Sequence, residues 1–183
     1  MIEISWHLVE NRYEVFCVYI ERLKSEDIEQ VLRIYNYYIL NSCFTLEEEA
    51  LSLETFTKRC ETIMSRYPYI VAKDDDGKVV GYAYLDEFNS RSAYRHTADL
   101  SIYVDKDRLH DHIGQFLLDN IEEMASEYEI TTIISLVTSE NSNSAKFHER
   151  NGFLLEGNIR DCANKFGKDL GVYYYRKALK GLK

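Results

Sequence analysis

Four stretches of this chain carry residue types and spacings that could do chemistry. Asp99 sits among apolar residues in Thr97–Val104 (TADLSIYV), where a carboxylate needs a reason to be. Partial burial would raise its pKa and suit it to general-base work; a charge capping a bulge or paired with Arg95 would leave the same pattern. The loop 105–114 (Asp-Lys-Asp-Arg-Leu-His-Asp-His-Ile-Gly) runs from a strand toward a helix N-terminus. Free N–H groups and the helix dipole there favour a phosphate. Lys106 and Arg108 bring positive charge, and His110 and His112 add more when protonated; an ordinary solvated loop could carry the same residues. In 140–153, Asn141 or Ser142 can cap a short helix and Gly152 can close it. Residues 164–170 read as an exposed turn between two late strands.

The elements that must position these residues alternate. Residues 17–23 read as a strand. Ser25 is expected to cap a helix whose apolar positions are Ile28, Val31, Leu32, Tyr35 and Ile39. Residues 53–66 form a second amphipathic helix, capped by Ser52 and ended near Tyr67-Pro68. Strands 69–73 and 78–86 are joined by Asp74-Asp75-Asp76-Gly77, a hairpin signal. A third strand of this meander is expected over 94–105, then a helix over 113–127, a buried strand over 130–138, a short helix over 142–150, and strands over 152–162 and 170–179. The pattern is α/β (α+β), a mixed sheet in a three-layer domain. The first 16 residues stand apart, with Ile2, Ile4, Trp6 and Leu8 alternating, and read as an added edge strand or hairpin; an oligomer-contact arm and a disordered tail are the other readings. The fifteen tyrosines read mostly as half-buried β surface.

Composition bounds the function. At 183 residues the chain holds one domain. With 22 basic and 31 acidic residues its net charge is −9, which makes it a poor binder of nucleic acid or anionic membrane. No run approaches the ~20 apolar residues of a membrane span, and the start lacks a signal-peptide pattern. Cys17, Cys43, Cys60 and Cys162 offer no metal-ligand spacing, so they read as reduced thiols of a cytoplasmic protein, with no metal expected.

The combination YRHTxxxSxYV, a loop ending Ile113-Gly114 before a helix, ENxxSxxxHExxGF and KFGxxL resembles the GNAT N-acetyltransferase superfamily, and within it the phosphinothricin and methionine sulfoximine N-acetyltransferases. The resemblance runs from about residue 19 to 179. It implies a mixed, mostly antiparallel central sheet with a splayed pair of strands, helices on both faces, and a single N-acetyltransferase domain over 17–183 behind the extension 1–16. It also implies acetyl-CoA as cosubstrate, a small amine acceptor and a homodimer.

Site residues follow from the same resemblance. Asp99 stands where the family has a Glu and is the expected base; Glu47, matching the family's Phe-x-x-Glu segment at Phe44–Glu47, is the second catalytic carboxylate. Backbone of Ile102, Tyr103 and Val104 is expected to meet pantetheine and the developing oxyanion. Arg108, Leu109, His110, His112, Ile113 and Gly114 form the diphosphate loop, and Asn141, Ser144 and His148 lie on the cofactor side. Phe44, Arg91, Arg95, Lys165 and Phe166 are expected at the acceptor, an arginine fork suiting a substrate carboxylate. The diphosphate loop departs from the family pattern: Leu109 replaces a basic or polar residue and His112 replaces a glycine. Two readings result. One is direct transfer of acetyl from acetyl-CoA to the amino group of a small amino-acid-like substrate; the other is a catalytically impaired CoA-binding or interaction protein of the same fold.

Overall fold

The computed structural model describes residues 6–11 and 14–179. Eight strands and four helices alternate in the order β1 (Trp6–Asn11), β2 (Glu14–Arg22), α1 (Ile28–Asn41), α2 (Leu53–Met64), β3 (Tyr69–Lys73), β4 (Val79–Glu87), β5 (Thr97–Val104), α3 (Ile113–Ala125), β6 (Thr132–Thr138), α4 (Ser142–Arg150), β7 (Leu154–Lys165) and β8 (Lys168–Ala178). Among the described residues no helix is long and apolar enough to cross a membrane. The chain divides into two units. One holds the chain through Tyr35 with Leu51–Asp86 and Ser101–Tyr128; the other holds Asn36–Ala50, Glu87–Leu100 and the chain from Glu129. Both α1 and β5 contribute residues to each.

In the first unit strand neighbours run β1-β2-β3-β4 and on to β5. β1 pairs antiparallel with β2 (Trp6↔Tyr19 to Asn11↔Glu14); residues 1–5 and 12–13 of the N-terminal stretch lie outside the described residues. The β3–β4 connection closes as expected, with Gly77 at φ +75° and Asp74 Oδ1 accepting from the N–H groups of Asp76 and Lys78. Strand alternation then sorts the helices. Gly81 of β4 faces α3. Tyr82 and Tyr84 point the other way, where Tyr82 stacks on Tyr103 (5.3 Å) and Tyr103 meets Tyr35 of α1 edge-on (5.3 Å). Tyr35 in turn stacks on Phe56 of α2 (5.8 Å). Helices therefore cover both faces here. A side chain at 81 would start 3.0 Å from Ile113 Cγ2, 3.1 Å from Leu117 Cδ1 and 3.1 Å from the Tyr103 carbonyl oxygen.

In the second unit the neighbours are β5-β6-β8-β7. β5 and β6 make the one parallel ladder described, covering only Thr97–Asp99 against Thr132–Ile134. β6–β8 and β7–β8 are antiparallel. The β7–β8 hairpin turns through Phe166 (φ +52°) and Gly167 (φ +74°), the signs that a tight two-residue hairpin requires. α4 buries His148, whose ring stacks on Tyr175 (5.7 Å) and meets Phe153 edge-on (4.9 Å). The mixed, mostly antiparallel sheet of the sequence reading is thus the observed one.

Several boundaries differ. Ser25 does not cap α1. It opens a 3-10 turn, Ser25–Asp27, before the helix begins at Ile28. Asp27 is the cause: its buried carboxylate binds Lys73 (2.7 Å) and accepts from the Lys24 N–H (3.4 Å), drawing the chain into a tight turn. β5 starts at Thr97 rather than 94, because Tyr94 and Arg95 donate back to the carbonyls of Arg91 and Ser92. β7 runs on to Lys165 because β8 pairs with it up to the hairpin. Tyr19, Tyr84, Tyr103, Tyr173 and Tyr174 are half-buried on strands, as the sequence suggests, whereas Tyr35, Tyr38, Tyr69, Tyr82 and Tyr175 are core residues.

Two outcomes are expected. Gly81→Ala must displace Ile113, Leu117 or β5 and should destabilise the protein by about 1–3 kcal/mol; a denaturation midpoint equal to wild type would remove this close approach as a constraint. Burial holds the His148 pKa below its ordinary value, partly opposed by the bond to the Ser144 carbonyl. Folding therefore prefers the neutral ring. That contribution is complete above the unfolded value near 6.5 and is lost as pH falls toward the lower folded value. Urea titrations at pH 7.5 and 5.5 should find wild type losing more stability across this window than His148→Phe.

Candidate active site

The residues singled out by the sequence fall into separate groups. The first lies in the first unit, between β5 and α3. Asp105 anchors the loop, its N–H donating to the Val80 carbonyl (2.8 Å) and its side chain accepting from the Asp107 N–H (3.0 Å). Arg108 follows, and its Nε donates to Asp111 Oδ2 (2.7 Å), while a second guanidinium nitrogen lies 3.7 Å from Asp74. Both Arg108 and Asp111 are largely withdrawn from solvent. Leu109, His110 and His112 are exposed. His110 (φ +76°) and His112 (φ +56°) both adopt the left-handed region, which costs an ordinary L-residue about 1–2 kcal/mol.

The main departure from the family pattern lies here. His112 stands where the resemblance expects a glycine that lets backbone N–H groups approach the diphosphate closely, and it takes the left-handed backbone that glycine favours. The His112 side chain makes no capping bond to α3. The first N–H groups of the helix, at Ile113 and Gly114, thus receive no bond from the His112 side chain and lie at an end with positive dipole character. Ile113 itself is buried against β4, which seats the helix end beside the sheet.

On β5, Ile102, Tyr103 and Val104 are half-buried. The Tyr103 ring belongs to the aromatic cluster with Tyr82 and Tyr35. Tyr84 joins it, its pKa pushed up to about 12 by burial, against the bond to Ser101. The sequence reading missed this cluster; tyrosines at 82 and 84, two apart on a strand and so on one face, were the available signal. β5 makes no ladder pair with β6 beyond Asp99 and Ile134.

The remaining residues belong to the second unit. Asp99 is half-buried at the end of the β5–β6 ladder. Arg91 and Arg95 are exposed around the 3-10 turn that leads into β5. A bond joins the segment carrying Phe44 and Glu47 to the β7–β8 turn: Lys165 Nζ donates to the Thr45 carbonyl (2.8 Å). Lys165 is 1% exposed, and its ammonium lies over the Phe166 ring at 5.1 Å. Burial lowers the Lys165 pKa, against the influence of Cys43, Glu48 and Glu47. Phe44, Glu47, Lys165 and Phe166 are therefore brought together; Thr45, which connects them, was not singled out.

At α4, Asn141 caps the helix by accepting from the Ser144 N–H (3.1 Å). The Ser144 carbonyl accepts from His148 Nδ1 (2.8 Å). That bond assigns the proton to Nδ1 and leaves Nε2 as a lone-pair acceptor. Nε2 is buried and has no hydrogen-bond partner among the described residues. Asn141, Ser144 and His148 thus form one connected group, with a neutral imidazole at its inner end. Among the described residues no cluster of three or more His, Cys, Asp or Glu could hold a metal.

The sequence profile of the acetyltransferase (GNAT) domain matches residues 20–170. The phosphinothricin N-acetyltransferase of Alcaligenes faecalis is 28% identical over 159 residues, covering 86% of this chain and 80% of that protein. An L-methionine sulfoximine/L-methionine sulfone acetyltransferase of Pseudomonas aeruginosa is 28% identical over 149 residues, covering 81% of this chain and 87% of its own. A phosphinothricin acetyltransferase from Sinorhizobium meliloti, solved in complex with AcCoA, superposes with a TM-score of 0.85 at 29% identity, over 88% of each chain. With the profile spanning most of its length, this chain belongs to the GNAT acetyltransferase domain family.

Proposed function

We propose that the protein transfers the acetyl group of acetyl-CoA directly to the amino group of a small amino-acid-like substrate. The observation that carries this reading is the left-handed turn at His112, a backbone conformation that glycine favours, directly before the α3 N-terminus. The impaired, CoA-binding alternative draws on the His112 side chain and on Asp111 beside the diphosphate; the left-handed turn supplies the backbone form and the Arg108 pair answers the charge of Asp111. The amino-acid-like acceptor is supported by relatives named for phosphinothricin and methionine sulfoximine.

An α-ammonium has a pKa near 8, so its deprotonation at neutral pH is a modest task. Asp99, directly or through one water, takes that proton, with Glu47 as the second carboxylate of the acceptor side. The neutral amine attacks the thioester carbonyl. Backbone N–H groups of Ile102–Val104 stabilise the oxyanion; as the amide forms the C–S bond breaks, and the departing CoA thiolate takes up the proton that the nitrogen sheds. The N–H groups at Ile113 and Gly114, with Leu109, His110 and His112 around them, receive the diphosphate. Arg108 acts there through its ion pair rather than as an unengaged cation. Asn141 and Ser144 contact the pantetheine side, where the lone pair of His148 Nε2 accepts a hydrogen bond. Arg91 or Arg95 binds the substrate carboxylate, and Lys165 holds the Phe44–Glu47 segment against Phe166.

The working form is a homodimer in the cytoplasm. β7 ends the strand order and exposes Leu154, Leu155 and Ile159; an uncovered edge strand with apolar side chains favours pairing with another chain. Cys17, Cys43, Cys60 and Cys162 are all free thiols, which suits a reducing compartment.

Thiol release from acetyl-CoA in the presence of phosphinothricin, methionine sulfoximine or single amino acids tests the activity, and silence across that panel would overturn it. Asp99→Asn should lower kcat about 100-fold or more while calorimetry finds acetyl-CoA affinity unchanged; full turnover by the variant would remove Asp99 from the mechanism. Light scattering at micromolar protein should give twice the 21.5 kDa chain mass, and a monomer at that concentration would exclude the dimer.

A further inference from the structure

The loop before α3 contains a buried acid whose position is unusual. Asp111 lies between two exposed histidines, and both histidines are left-handed. A conformation that side chains resist persists where surrounding contacts over-determine it. The contact here is the pair Arg108 Nε to Asp111 Oδ2 at 2.7 Å, which closes a ring around Leu109 and His110. Arg108 is fixed from behind by Asp74, 3.7 Å away on the β3–β4 turn, and by its own N–H donating to the Asp105 carbonyl (2.9 Å). Asp105 in turn is bonded to β4 at Val80. The clamp therefore connects the sheet to the residue immediately before His112.

We propose that Asp111 is a positioning residue for acetyl-CoA: its carboxylate, held on Arg108, keeps His110 and His112 left-handed so that the first N–H groups of α3 meet the diphosphate. This rests on the acetyltransferase reading above. It also turns an apparent liability around. A lone carboxylate beside a diphosphate would repel it, whereas this one is neutralised by the guanidinium it holds.

The two roles predict opposite signs for Asp111→Asn. If the acid merely repels the cosubstrate, the amide tightens acetyl-CoA binding. If it is a clamp, the amide raises the KM for acetyl-CoA about tenfold, since small misplacements of binding groups are costly, with kcat and the acceptor KM near wild type. Adding His110→Gly and His112→Gly to Asp111→Asn should recover most of that KM, because glycine takes the left-handed region without a clamp. Hydrogen exchange of peptides spanning residues 108–115, without any ligand, reads the clamp independently of turnover. Exchange should quicken in Asp111→Asn while peptides of β3 and β4 stay protected. A KM that falls, or exchange over 108–115 that does not change, would overturn the proposal. Wild type that neither binds nor consumes acetyl-CoA, with exchange still faster in the variant, would overturn the acetyltransferase reading and leave the clamp as a purely conformational device.

Discussion

α3 can lie against β4 only because residue 81 has no side chain. A methyl group there would reach into Ile113, Leu117 and the β5 backbone at once. Ile113 is the first residue of α3, so this close approach seats the helix end directly on the sheet. Everything proposed for the diphosphate follows from that placement. The loop from Val104 to Ile113 is anchored at Asp105, and its last residue before the helix turns left-handed. A glycine in the sheet thus supports a turn that lacks its own glycine.

Electrostatics works locally in this acidic chain. A net charge of −9 opposes a diphosphate at long range. Within the loop, each buried charge is compensated by a neighbour. Arg108 neutralises Asp111, which leaves the helix dipole as the local field at the start of α3. The same economy holds at Lys73: burial lowers its pKa, but the bonds to Asp27 and Glu21 outweigh burial and raise it. Lys165 is the contrast. It has a carbonyl for a partner, with acids only nearby, and burial leaves its pKa lowered. Its role is mechanical as much as electrostatic, joining the segment that carries Glu47 to the turn that carries Phe166.

Much of the fold was legible because burial imposes a period. Ile28, Val31, Leu32, Tyr35 and Ile39 recur at helical spacing, and all are buried in α1. Caps were legible for a similar reason: Ser52 and Asn141 satisfy N–H groups three residues ahead, a demand set within one turn. The Ser25 cap failed because a partner 46 positions along the chain, Lys73, recruited Asp27 instead. The tyrosine cluster was hidden for the same reason, since Tyr35 comes from α1, Tyr82 and Tyr84 from β4, and Tyr103 from β5.

The sequence by itself determined the apolar faces of helices such as α1, the caps at Ser52 and Asn141, and the motifs that carry the family resemblance, because spacing along the chain decides all of these. Only the tertiary structure decided that Arg108 belongs to Asp111 and Asp74, that His112 takes a glycine's conformation, that Lys165 is buried on Thr45, and that His148 presents Nε2 as an acceptor. Partner choice and backbone strain are settled by groups from distant segments competing for one another, and that competition leaves no period to read.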